Sequence, residues 1–218
     1  MRHFYHVFCG WPWLEIAEAH LAALRGSGAS WEVTVGLVGP PSARRVARAL
    51  FESELPVVDF TEADAGYEQV TLAELRDWAQ RAAPGTPVLY AHSKGVIPKT
   101  DPVMGLHGRL WRELMTTHVV GGWRECVALL DDHDAAGCYW ATPQMYPGFV
   151  VTPMFCGNFW WADAGYLARL PPVSRESRFH AEGWVGLGDP VVADVHPGWP
   201  TWAEFSDQVV AALNPGEP

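Results

Sequence analysis

Strand-like and helix-like segments alternate through the first half of the chain, and that alternation most constrains the fold. Residues 3–9 form a short apolar run that ends at Gly10 and a Trp11-Pro12-Trp13 loop. Leu14, Ala17, Leu21 and Leu24 then recur at helical spacing, with Gly26 as the stop. Trp31, Val33, Val35 and Leu37 alternate with Glu32, Thr34 and Gly36, the pattern of a half-buried strand. A basic helix over 43–53 leads to a brief strand over 57–60. Thr71-Leu72-Ala73-Glu74 has the form of a capping box, and Leu72, Leu75 and Ala79 give its helix an apolar face. Pro84-Gly85 ends that helix, and residues 87–91 are an apolar strand. This order predicts an α/β fold, a mostly parallel central sheet with helices on both faces. Ligands of such sheets sit at the carboxyl ends of the strands, which singles out the loops after Val7, Val38, Tyr90 and Trp140.

The second half is read by the same patterns. A helical region over 109–130 is weakened by Gly121-Gly122, and strands follow over 135–140, 149–155 and 158–161. Asp163 caps a short helix that must end before Pro171-Pro172. Thr201 and Glu204 form a second capping box over a last helix, and the tail over 214–218 is frayed. The 218 residues fit one domain better than two.

Composition narrows the function classes. Apolar residues make up 49% and charged residues 18%, enough for a buried core. A net charge of −10 repels phosphate backbones and argues against bulk nucleic-acid binding, since no basic groove offsets it. The N-terminal apolar run is too short and too polar for a signal peptide, and no stretch approaches the roughly 18 apolar residues of a membrane span. A cytoplasmic protein is expected. Cys9, Cys126, Cys138 and Cys156 share no metal-type spacing and are expected as reduced, buried thiols. The 12 tryptophans divide between core and site, because indole faces stack on bases and on the C–H faces of sugars.

Three groups of residues could carry chemistry. His92-Ser93-Lys94-Gly95 follows a strand directly and has the residue types of a phosphate-binding turn, or of an ordinary polar strand exit. Cys156-Gly157-Asn158-Phe159-Trp160-Trp161 precedes Glu182-Gly183-Trp184, which sets a lone carboxylate in an aromatic context suited to proton transfer or to simple capping. Asp131-Asp132-His133-Asp134 has the residue types of a Mg²⁺ or Mn²⁺ site, and equally those of a solvated loop.

Tyr5-His6-Val7, the Val88 to Gly95 segment, Trp111-Arg112-Glu113-Leu114-Met115, Gly157-Asn158-Phe159-Trp160-Trp161-Ala162 and Glu182-Gly183-Trp184 together resemble a family of small glycosyltransferase-like proteins. These occur in bacteria, phages and large viruses, and the resemblance covers nearly the whole chain. It implies a single GT-A-like domain that takes a nucleotide-sugar donor. The place of the family's metal-holding DxD motif is taken by His92-Ser93-Lys94, and Gly183 replaces the Asp of a Glu-Asp pair. No metal is therefore favoured, and Mn²⁺ or Mg²⁺ on Asp131, Asp132 and Asp134 is the alternative.

On this reading Phe8, Trp11, Ser93, Gly95 and Arg112 hold the nucleotide diphosphate, with Lys94 and His92 neutralising the leaving group. Gly157, Asn158, Trp160 and Trp161 shape the sugar and acceptor pocket, and Glu182 is the general base of an inverting displacement. The acceptor is a glycan, a lipid carrier, a protein side chain or a modified nucleobase. A degenerate sugar- or nucleotide-binding module and a metal-dependent hydrolase centred on residues 131–134 are the rival readings.

Overall fold

The computed structural model describes residues 1–10, 12–56, 58–94, 102–176 and 179–198. The expected last helix, with Thr201 and Glu204, lies outside them, as do Trp11, Gly95 and Arg178.

The alternation produces the predicted architecture. β1 (Arg2–Phe8), α1 (Trp13–Gly26), β2 (Glu32–Val38), α2 (Pro41–Glu54), β3 (Val58–Ala63), α3 (Gln69–Ala79) and β4 (Pro87–His92) follow in order. α4 (Pro102–Met115), a π-helix (Thr116–Gly121) and α5 (Trp123–Leu129) lead to β5 (Ala135–Cys138). A two-stranded ribbon of β6 (Trp140–Ala141) and β7 (Met154–Phe155) precedes β8 (Trp160–Asp163), α6 (Ala164–Arg169), α7 (Phe179–Glu182) and β9 (Val192–His196). Among the described residues the main sheet has seven strands in the order β3-β2-β1-β4-β8-β5-β9, of which β8 alone runs antiparallel to its neighbours.

Side-chain alternation feeds two cores. On one face Tyr5, Val7, Leu89 and Trp161 pack with α1, α2 and the π-helix through Leu21, Phe51 and Val119. On the other, Phe4, Tyr90 and Trp160 pack with α3 and α6 through Leu72, Leu75 and Leu167. All four cysteines are buried and free. No helix of the described residues is long and apolar enough to cross a membrane.

Three local expectations are corrected. Thr71 is not a cap: α3 begins at Gln69, and Thr71 Oγ1 instead meets His6 Nδ1 at 2.8 Å. A side chain on Gly36 would collide with that hydroxyl, so its absence lets α3 lie close on β2. The strand expected over 149–155 shrinks to Met154–Phe155, because Gly148 adopts a left-handed φ of 81° and Pro153 breaks the run, leaving Phe149 and Val151 exposed. The long helix after 109 begins earlier and widens to π geometry before Gly122. Asp163 does cap α6, accepting from Tyr166 N at 3.0 Å.

Candidate functional site

The sheet reverses its order once near its centre: β2 and β3 extend to one side of β1, and β4 returns to the other. The carboxyl ends of β1 and β4 are therefore the place at which open α/β sheets bind ligands. Ser93 stitches the two ends together. Its amide donates to the His6 carbonyl at 2.8 Å, and its hydroxyl accepts from Phe8 N at 3.0 Å. Ser93 is buried and so braces this edge rather than facing a ligand, whereas Phe8 is partly exposed beside it.

Lys94 and Arg112 meet at this edge. The Lys94 ammonium stands 3.7 Å from the centre of the Trp111 indole, and the Lys94 carbonyl accepts from Arg112 at 2.8 Å. His92 does not join them as a cation. Burial, with Lys94 nearby, pushes its pKa down to about 3, so the ring is neutral near pH 7. Its Nε2 lies 2.9 Å from the Gly157 carbonyl and its Nδ1 3.3 Å from Glu68 Oε1. A neutral ring carries one proton for these two acceptors, and the shorter contact takes it. His92 thus reaches this edge as a neutral ring held between Gly157 and Glu68 and not as the expected cation.

Glu68, at the amino end of α3, is the residue that sequence reasoning missed. Its Oε2 accepts from the Tyr90 hydroxyl at 2.9 Å and from Asn158 Nδ2 at 2.6 Å. Asn158 Oδ1 in turn accepts from Trp160 Nε1 at 2.7 Å. Asn158 is 1% exposed, so it holds the turn before β8 instead of lining a pocket. Gly157 and Asn158 both have left-handed φ, 98° and 58°, and a side chain on Gly157 would run into Met115 and Trp111. The missed signal was positional: the loop after β3 also ends at the carboxyl edge.

The paired indoles go to opposite faces, but neither reaches a cleft. Trp160 and Trp161 are fully buried, one in each core, and Trp161 Nε1 donates to the Val119 carbonyl at 2.8 Å. Their expected substrate contacts are corrected to core packing. Glu182 is half buried at the end of α7, next to Ala181, whose carbonyl receives a long 3.4 Å bond from Asn158. Its charge raises the pKa of Tyr90 and Cys156, alongside the dominant effect of burial. It therefore stands near the network.

The acidic run is remote. Ala135 and Val88 both pair with Ala162, so residues 131–134 enter the sheet at the opposite edge, about 20 Å from Lys94 at strand rise. Asp134 is engaged by Val191 N at 2.9 Å, and among the described residues no three His, Cys, Asp or Glu side chains gather where they could hold a metal ion.

A concavity, about 320 Å³, opens on the α1 face beside the Lys94 edge, between α1, α4 and the π-helix. Tyr5, His20 and Phe159 line it, with Glu15 and Arg112 among its walls. Of its lining, the sequence had marked out Arg112, as a residue of the nucleotide diphosphate site.

One family, described as a domain of unknown function (DUF8361), matches residues 4–186. No match is found among curated proteins. Among solved structures, the chain is similar to a protein described as a nucleotide-diphospho-sugar transferase from Desulfovibrio desulfuricans G20, with a TM-score of 0.48 and 10% identity over 99% of this chain and 88% of that one. It is also similar to 4-diphosphocytidyl-2C-methyl-D-erythritol synthase from Anaerococcus prevotii, with a TM-score of 0.49 and 10% identity over 97% and 96%. A third is HddC from Yersinia pseudotuberculosis, with a TM-score of 0.49 and 7% identity over 97% and 100%. At these values the likeness carries no argument about function.

Proposed function

Since the chain belongs to the DUF8361 family, a domain of unknown function, its activity has to be read from its site, and we propose a nucleotide-sugar-dependent glycosyltransferase. The observation that carries this reading is that Arg112 donates to the Lys94 carbonyl just past β4, which brings two cationic residues to one edge of the sheet. Two cations there suit a diphosphate, whose charge grows as it leaves. Residues 1–140 hold the donor and 141–213 complete the acceptor side of one GT-A-like domain.

In the proposed step an acceptor hydroxyl attacks the anomeric carbon as the bond to the diphosphate oxygen breaks. The hydroxyl proton passes to Glu182, and the configuration inverts. The acceptor belongs to one of four classes: glycan, lipid carrier, protein side chain or modified nucleobase.

Thermal shift against a panel of nucleoside diphosphates and their sugars tests the donor. A ligand at about 100 times its Kd should stabilise the fold by about 2.7 kcal/mol. Lys94→Ala should remove that shift; a panel that shifts nothing overturns the reading.

The closed network of Glu68, Tyr90 and Asn158 favours a second reading, a binding module without turnover, because these polar groups already bond to one another. A donor that binds and is neither transferred nor hydrolysed would select it.

A further inference from the structure

The loop between β6 and β7 holds apolar side chains out in solvent. Its backbone is folded on itself: Met145 N donates to the Thr142 carbonyl at 3.1 Å, and Phe149 N to the Tyr146 carbonyl at 3.2 Å. Val150 is inserted in the core and only 3% exposed, so its neighbours on either side are turned outward. Phe149 is 83% exposed and Val151 90%, with Met145 exposed as well. Single apolar residues scattered over a surface mean little, but three on one short loop form a patch.

Charge is absent from this part of the chain. No Asp, Glu, Lys, Arg or His occurs between Asp134 and Asp163, in a protein whose net charge is −10. Docking on another protein gains specificity from charged groups at the rim, and this loop has none. A lipid surface makes the opposite demand: each charge carried into it costs free energy, and apolar side chains are drawn in. An exposed tip that is apolar and uncharged therefore fits a lipid leaflet better than another protein.

The loop also borders the proposed base. A side chain on Gly183 would lie 2.7 Å from Thr152, and one on Gly186 would strike the Pro153 carbonyl. The returning arm of the loop thus rests on the turn that follows Glu182. Phe179 and Leu187, on either side of Glu182 in sequence, are exposed too. β5, from which the loop departs, runs parallel to β4, so both bring their carboxyl ends to the same edge.

We propose that the loop over 142–153 inserts its tip, Phe149 and Val151, into a lipid surface, and that the acceptor hydroxyl of the transfer is carried by a lipid. The acceptor assignment rests on the glycosyltransferase reading; the insertion does not.

Flotation of the full chain with phosphatidylcholine vesicles tests it. The protein should float with the vesicles, and about 1 M NaCl, which screens surface charge, should leave the bound fraction unchanged. Phe149→Ser combined with Val151→Ser alters two exposed side chains, so the melting temperature should hold while the partition falls about 10-fold or more. Absence of the protein from the vesicle fraction overturns the proposal, as does binding that survives the double substitution. Binding confined to vesicles that contain phosphatidylglycerol, and lost in salt, would be electrostatic and overturns insertion. A dimer in solution that the double substitution dissociates would assign the patch to a second copy and overturns the lipid surface. Nucleoside diphosphates should shift the melting temperature equally in the parent and the double variant, which separates the two readings. A donor panel that shifts nothing overturns the acceptor assignment and not the insertion.

Discussion

Glu68 Oε2 accepts a 2.6 Å hydrogen bond from Asn158 Nδ2, tying the loop before α3 to the turn before β8. The same oxygen holds the Tyr90 hydroxyl, so removing it strands two buried donors. Glu68→Ala should destabilise the fold by on the order of 3 kcal/mol, measured by urea unfolding, and Glu68→Gln by clearly less. A negligible loss in Glu68→Ala would show that these two bonds do not hold the fold together.

Trp160 and Trp161 are core residues, and their substitution should report on stability. Trp161→Ala should cost about 3–5 kcal/mol, while Trp160→Phe should lose chiefly its bond to Asn158. Donor affinity, measured on the folded fraction of Trp160→Phe, should be unchanged. A selective loss of affinity in that variant would restore Trp160 to the binding site.

Acid should unfold this protein early. His3 and His92 have pKa values near 3, His6 near 4 and His20 well below the ordinary 6.5, all chiefly through burial. Above pH 6.5 neither the folded nor the unfolded state protonates these rings, and their contribution is complete. Below it the unfolded chain takes up protons that the folded one refuses. Each ring then costs about 1.4 kcal/mol per pH unit until its folded pKa is reached. Unfolding free energies between about pH 7.5 and pH 5 should fall with a slope of several protons; a flat profile would mean that the rings titrate normally.

Glu182→Gln keeps the side-chain shape and removes proton acceptance. Under the proposed mechanism donor binding should survive while the transfer rate falls by roughly 10²–10⁴-fold. An unchanged rate removes Glu182 from the reaction.

Metal dependence separates a cationic site from a metal-assisted one. Because residues 131–134 enter the sheet at the far edge, transfer should persist in excess EDTA and disappear in Lys94→Ala. Abolition by EDTA with rescue by Mn²⁺ or Mg²⁺ would reverse that assignment.

The sequence made the early strands and helices legible because each rests on local pattern: Val33, Val35 and Leu37 alternate, and Ala17, Leu21 and Leu24 recur on one face. The loop at Ser93 and Lys94 was legible for the same reason, as a polar exit from an apolar strand. What escaped depends on partners distant in the chain. Thr71 reads as a cap until His6 arrives against it, and Glu68 reads as a loop carboxylate until Tyr90 and Asn158 converge on it. Adjacent indoles at 160 and 161 promise one core and one pocket residue, but helices cover both faces of β8 and bury both. The cavity beside Tyr5 has no sequence signature, since α1, α4 and β1 contribute to it from far-separated positions.

The place of β8 between β4 and β5 bears on the order of assembly. Both neighbours precede it in the chain, so during synthesis each presents an unpaired edge until residues 160–163 emerge. β4 in that interval exposes the rim on which Tyr90 will later stack with Trp160. An open edge of apolar strand is a template for pairing with other chains. Insertion of one four-residue strand closes two such edges at once, so a nascent chain halted before Trp160 should be far more prone to aggregate than one halted after Asp163.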